Sequence, residues 1–220
     1  MKTNKTAPKA KQPTKKQTQP KPLKPEKECC NECGPIPCHH RQLVVVINGR
    51  SSVGKHTLIE HISNYYEVRN VSSVTPIKDA AMNVGWDGIK DEAGRRLLGD
   101  LKATLVRYND SPTKYVVGEY KKFVAVEQDI MFVHIREPEE IAKFRRIVPC
   151  KTLLVLRDSA PQFNNLRTDN EHLLDFDYDF AFDNSGTWEQ SAPAFLKLIE
   201  KMRCLTPTTD LPLEAKAKRV

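Results

Sequence analysis

Nowhere in its 220 residues does the chain hold the roughly 18 consecutive apolar residues that a membrane-crossing helix needs. Its N-terminus likewise lacks the apolar core of a secretory leader. Both absences predict a cytoplasmic protein that does not engage a membrane. The first 28 residues contain no aromatic residue and no arginine, and beyond the initiator Met their one large aliphatic residue is Leu23. A segment so poor in apolar surface cannot offset the entropy of ordering, so residues 1–28 are expected to be a disordered tail rich in Lys and Pro. No internal repeat is visible, which sets aside solenoids and propellers.

The part beyond the tail lacks net charge. Overall the chain carries 35 basic and 28 acidic residues; nine Lys and two Glu lie in residues 1–28, leaving 26 of each sign. A neutral folded part argues against a specific nucleic-acid surface, which needs ordered positive charge. Weak electrostatic contacts through the Lys-rich tail remain as its expected interaction with polyanions.

Cysteine is scarce outside one cluster. Four of the six fall in "CCNECGPIPCHH", within a linker at 29–42. Cys30 and Cys33 have a metal-knuckle spacing, and Cys38 with His39 would complete a tetrahedral zinc set. Zinc sites of this type usually use two separated knuckles, so the expectation is a thiol-rich linker without an obligatory metal, and no metal ligands are assigned. Cys150 and Cys204 stand alone and are expected as packed thiols.

What the sequence has, from residue 43 to 203, is an alternation of strands and helices. "LVVVIN" (43–48) is an unbroken β-branched run of the kind that a buried parallel strand requires. Strands are expected again in "YEVRNVSS", "DIMFVHI" (129–135), "KTLLVL" (151–156) and "YDFAFDN" (178–184). Helices are expected between them, including 90–110, with Leu97, Leu98, Leu101 and Leu105 on one face, and a closing helix over 187–202. Residues 204–220 read as a loose tail. The pattern predicts a three-layer α/β fold around a central parallel sheet.

The first strand runs into Gly49, and after four residues Gly54-Lys55 opens a helix. Such a loop turns successive backbone N–H groups toward one point, where the helix N-terminus and the lysine ammonium join them. The chemistry is that of a polyphosphate site, so Gly49, Ser51, Ser52, Val53, Gly54, Lys55, His56 and Thr57 are the candidate nucleotide-binding residues. His56 stands where the commonest pattern has Ser or Thr, and Thr57 follows one place later.

The string "GKHT" resembles the Gly-Lys-x-Thr loop of adenylate kinase and related small-molecule kinases. "NGRSSVGKHT" is similar to the loop of phage-type deoxynucleoside monophosphate kinases and animal-type phosphomevalonate kinases, where Asp commonly holds the His56 place. "HIREPEE" (134–140) resembles the Asp-Val-Arg-Phe-Pro-x-Glu strand end of the deoxynucleotide kinases at Arg136, Pro138 and Glu140. "DFAFDNSGT" (179–187) looks like that superfamily's last strand and turn near the adenine, which points to Asn184 and Thr187. "GWDGIKDEAGRRLLGDLK" is similar to a segment of uncharacterised bacterial kinase-like proteins of the group. The resemblance spans about residues 43–203 and implies a P-loop nucleotide-kinase-like domain using ATP and Mg²⁺. One departure is His134, which stands where those kinases carry an acid; Asp129, Glu137 and Glu140 are the carboxylates left to replace it.

Phosphoryl transfer relies on positioning and charge neutralisation, so cations are the remaining candidates. On the acceptor side these are Arg95 (or Arg96), Lys78 and Ser73, with Trp86 as a surface for a base or an isoprenoid chain. Arg95 and Arg96 read equally as surface charges, and Trp86 as a core anchor. Arg136 and Arg157 lie at strand ends, where ligands of parallel sheets bind. Arg167 lies in the long polar segment between the fourth and fifth strands, a lid candidate; His172 reads as a surface histidine. Catalytic roles are assigned to Lys55, Arg136, Arg157 and Arg167. The leading expectation is ATP-dependent phosphoryl transfer to a small phosphorylated acceptor, a nucleoside monophosphate first. The alternative is a nucleotide-binding regulator without efficient transfer.

Overall fold

The computed structural model describes residues 42–158, 173 and 176–205. Expectations on the tail, on the Cys/His segment up to residue 41, on Arg167 and His172, and on residues 206–220 lie outside the described residues. In chain order the elements are β1 (Leu43–Asn48), α1 (Lys55–Ser63), β2 (Val68–Ser72), α2 (Thr75–Asn83), α3 (Glu92–Asn109), α4 (Ser111–Ala125), β3 (Ile130–His134), α5 (Pro138–Ile147), β4 (Lys151–Leu156), β5 (Phe180–Asp183) and α6 (Trp188–Cys204). Each expected strand and helix is present; α6 extends to Cys204, two residues past its expected end.

All five strands are parallel, in the order β2-β3-β1-β4-β5. β1 is therefore the middle strand, and every one of its residues is buried, which explains why it lacks polar alternation. Its side chains divide between two cores. Leu43, Val45 and Ile47 pack with Leu58, Ile59 and Ile62 of α1 and Phe195, Ile199 and Met202 of α6. Val44 and Val46 pack with Val116 and Phe123 of α4 and Ile141 and Phe144 of α5. The sheet is thus covered on both faces, giving three layers. Among the described residues no helix is long and apolar enough to cross a membrane.

The helix α3 is present where expected, but its leucine face is only partly covered. Leu97, Leu98, Leu101 and Leu105 are only half-buried, and the one buried residue of the helix is Gly94. The reason is its place: α3 packs on α2 and α4, outside the sheet, so its apolar stripe meets other helices and not a strand layer. Its N-terminus is nonetheless well defined, because the Asp91 carboxylate accepts from the Gly94 N–H at 2.7 Å.

Candidate nucleotide site

The chain leaves β1 through Asn48, a buried polar residue that the sequence reading passed over. Its Oδ1 accepts from the Gly49 N–H at 2.9 Å, and its Nδ2 donates to the Arg136 carbonyl at 3.1 Å and the Tyr178 hydroxyl at 2.8 Å. One side chain therefore joins the exits of β1 and β3 to the segment before β5. The only signal for it was a polar residue ending an apolar run directly before glycine. Gly49 follows with φ +138°, and a Cβ there would sit 2.3 Å from the Val155 carbonyl oxygen of β4. Only glycine lets the chain turn against its neighbour strand at that distance.

The loop then passes Ser51 and Ser52, both exposed, with Ser52 at φ 64°. Val53 is buried and packs with α1 and α6, so its side chain anchors the loop to the core while its backbone stays with the loop. Gly54 has φ +91°, and a Cβ there would lie 2.5 Å from Asn184 Nδ2. That space is used: Asn184, buried at the end of β5, donates from Nδ2 to the Val53 carbonyl at 2.8 Å. Asn184 was expected near adenine; what the structure gives it is a clamp on the loop. Arg157, at the end of β4, brings its guanidinium to the same place, 4.0 Å from where a Gly54 Cβ would be.

The helix α1 starts at Lys55 with no side-chain cap and no acidic residue in its first turn. Its N-terminus is therefore electropositive and faces the loop, the arrangement that favours an anion. His56 and Thr57 are exposed on that first turn. Lys55 Nζ donates to the carbonyls of Gly49 at 2.6 Å and Arg50 at 2.7 Å. Burial, reinforced by the Arg136 charge, lowers its pKa to about 8. A lysine held in that way gains from any anion that reaches it.

The C-terminal ends of β3 and β2 lie beside the loop. His134 Nε2 is 2.8 Å from Asn70 Oδ1, and the His134 carbonyl accepts from the Ser73 N–H at 3.1 Å. Ser73 is itself buried. Burial and then the charges of Lys55, His56, Arg136 and Lys78 push the His134 pKa down to about 4. Lys78 on α2 is lowered by burial, by Lys90 and by Arg136, with Asp79 opposing. Lys90 thus belongs to the same positive cluster as Lys78 and Arg136, although the sequence pattern did not single it out.

The structure does not bring every candidate to this place. The Trp86 indole N–H donates to the Ile89 carbonyl at 2.9 Å and the ring packs on Gly94, so the tryptophan closes its own turn. Arg95 is exposed, with Nε bonded to the Lys90 carbonyl at 3.0 Å. Thr187 begins α6 and shares a capping box with Gln190, a helix-starting task that explains its type without a ligand.

The carboxylates proposed to replace the missing acid are engaged elsewhere. Asp129 lies at the far end of β3, where it accepts from the Glu67 N–H at 2.9 Å and pairs with Arg203 at 3.5 Å. Glu137 and Glu140 both pair with Lys102 of α3, at 2.5 and 3.1 Å. Burial pushes Glu140 up to about 7. At the end of β3 the donor is an imidazole among cations, which does not fit a Mg²⁺ held by the protein. Among the described residues no group of His, Cys, Asp and Glu has the arrangement of a metal site.

No family model matches the chain, and no curated protein matches it in sequence. Solved structures overlap its fold. Shikimate kinase from Bacteroides thetaiotaomicron is 11% identical, with 73% of this chain and 97% of that one covered at a TM-score of 0.38. TT1252 from Thermus thermophilus is 15% identical, covering 73% and 98%, with a TM-score of 0.45. A sugar kinase from Janibacter sp. is 11% identical, covering 74% and 98%, with a TM-score of 0.43. Overlaps at this level identify neither a reaction nor a substrate. The parallel sheet order and the glycine loop between its middle strand and α1 give this chain a three-layer α/β fold of P-loop type.

Proposed function

We propose that the domain binds ATP on the Gly49–Lys55 loop and transfers its γ-phosphoryl group to a small phosphorylated acceptor, a nucleoside monophosphate being the first candidate, in the cytoplasm. One observation carries the reading. The loop closes on itself with its lysine, its helix N-terminus and the ends of β3 and β4 converging, and it is clamped by Asn48 and Asn184. Transfer of a phosphoryl group needs two anions held in line, with the charge that spreads over the equatorial oxygens neutralised. Lys55 and the first-turn amides of α1 would hold the donor phosphates. Arg157, next to Gly54, would meet the same phosphates from β4. Lys78, Ser73 and Arg136 are proposed for the acceptor and Arg167 for the lid; Arg95 and Trp86 are proposed to join the acceptor by leaving their present contacts with the Lys90 and Ile89 carbonyls.

The test is ADP formation by the full chain against a panel of nucleoside monophosphates and other phosphorylated small molecules. One acceptor should raise turnover sharply, and Arg95→Ala should lose that stimulation while keeping ATP affinity. Lys55→Met should lose most of the thermal stabilisation by ATP, which is about 2.7 kcal/mol at 100 times the dissociation constant. Equal responses of wild type and Lys55→Met to ATP would remove the nucleotide reading. The second reading, a nucleotide-binding regulator, is favoured by His134 in the acid's place; tight ATP binding with no stimulating acceptor would support it.

A further inference from the structure

His134 ends β3 in the company of cations. Its place is fixed by the sheet: β3 lies between β1 and β2, with Val133 level with Val46 and His134 level with Ser72. His134 is therefore level with Ile47, two residues before Gly49, and on the sheet face that Ile47 and Phe132 share with α1, so the imidazole stands on the side from which α1 leaves the glycine loop. The charged and titratable groups that face it come from every neighbouring element: Lys55 and His56 of α1, Lys78 of α2 and Arg136 of the β3–α5 turn. All are basic. The contact from β2 is the neutral Asn70.

We propose that His134 is a proton-accepting ligand of the nucleotide polyphosphate, converted from imidazole to imidazolium when the phosphates occupy the glycine loop. This rests on the ATP reading given above. Asn70 Oδ1 can only accept, so it holds the hydrogen on Nε2, and the ring's lone pair is on Nδ1. Nδ1 takes one proton from solvent as the nucleotide binds, and no other bond is made or broken. The Nε2–H bond to Asn70 is the same in both states, so the ring need not turn.

Electrostatics sets the direction. Burial first, and then the basic neighbours, make a further positive charge at the end of β3 costly, which is why this histidine titrates low in the free protein. Three or four phosphate charges reverse the local field and favour the imidazolium. A carboxylate in this place would repel the nucleotide unless a divalent cation intervened. A histidine instead supplies a charge to the phosphates only when they arrive, and releases it when they leave. The consequence is that nucleotide affinity is coupled to pH on the acid side of neutrality.

The test uses the full chain labelled with ¹⁵N-histidine, in EDTA and without acceptor so that no turnover competes. His134 resonances, assigned by their loss in His134→Gln, are titrated with and without saturating ATP. The expected result is a midpoint near 4 for the free protein and one raised by about two pH units or more with ATP bound. Calorimetry at pH 6 in buffers of different ionisation enthalpy gives the proton count. At that pH Lys55 is already charged, and the γ-phosphate's own titration is shared by wild type and variant. Wild type should take up about half a proton or more beyond His134→Gln. Binding of ATP with an unmoved His134 midpoint and equal proton uptake would overturn the inference and leave the nucleotide reading standing. Failure of wild type to bind ATP at all, with no difference from Lys55→Met, would remove both.

Discussion

Around the glycine loop, the side chains that hold the backbone in place are buried. Asn48 and Asn184 reach the loop from β1 and β5, Val53 sinks into the α1–α6 core, and Gly49 lies against the Val155 carbonyl. Along α2 and α3 the construction is different. Met82, Val84 and Ile89 are exposed, the leucines of α3 are half-buried, and Lys102 secures the helix through Glu137 and Glu140. The contrast teaches where each half gets its order. The loop is over-determined by packing and hydrogen bonds, as a site that must aim several amides at one point requires. The α2–α3 wall has little apolar burial to hold it, and such regions open at lower free energy than a core.

Three experiments, with four substitutions between them, break or sharpen that contrast. The largest effect belongs to Gly49→Ala. The added methyl would meet a backbone oxygen at 2.3 Å, at φ +138°, so the loop or β4 must shift. A loss on the order of 4 kcal/mol in chemical denaturation is expected, with ATP stabilisation gone. An alanine variant that melts and binds ATP like wild type would show that the loop tolerates movement.

Next is a matched pair. Phe195 is fully buried between α6 and the sheet, and Phe195→Ala should cost about 3–5 kcal/mol. Leu101→Ala, on the half-buried α3 stripe, should cost about 1 kcal/mol, because less surface leaves water and the site can collapse. Similar losses for the two would mean that α3 is as firmly packed as the core.

The smallest effect concerns Lys55 and has a pH signature. Its folded-state pKa of about 8 is below the unfolded value of about 10.4. Between the two, the unfolded chain binds the extra proton, so stability should rise with pH across that window and be lowest below about 8. Lys55→Met should lack this rise and be stabilised at pH 7 by about 1–3 kcal/mol without nucleotide. Thermal melts of both proteins from pH 7 to 10.5 measure it. A variant no more stable than wild type at pH 7 would show that the charged lysine is well accommodated by the Gly49 and Arg50 carbonyls.

The sequence by itself determined the fold class. The β-branched run of β1 has no polar residue to face water, so it had to lie inside a sheet covered on both sides. The alternation of such runs with amphipathic segments then leaves a parallel α/β architecture as the solution. The glycine loop was legible for a similar reason: its spacing is a local backbone property, with Gly49 and Gly54 needed where the dihedrals and contacts admit no side chain. Asn48 and Asn184 as clamps, Lys102 as the partner of two glutamates, and Lys90 beside Lys78 were decided only by the tertiary structure. Each joins residues far apart in the chain, and no local period encodes such a meeting. Tertiary structure also decided that the leucine face of α3 would be half-buried, because amphipathicity says that a helix has an apolar side and not what will cover it. His134 shows both limits at once: the sequence showed that an acid was absent, and the fold surrounded its replacement with positive charge.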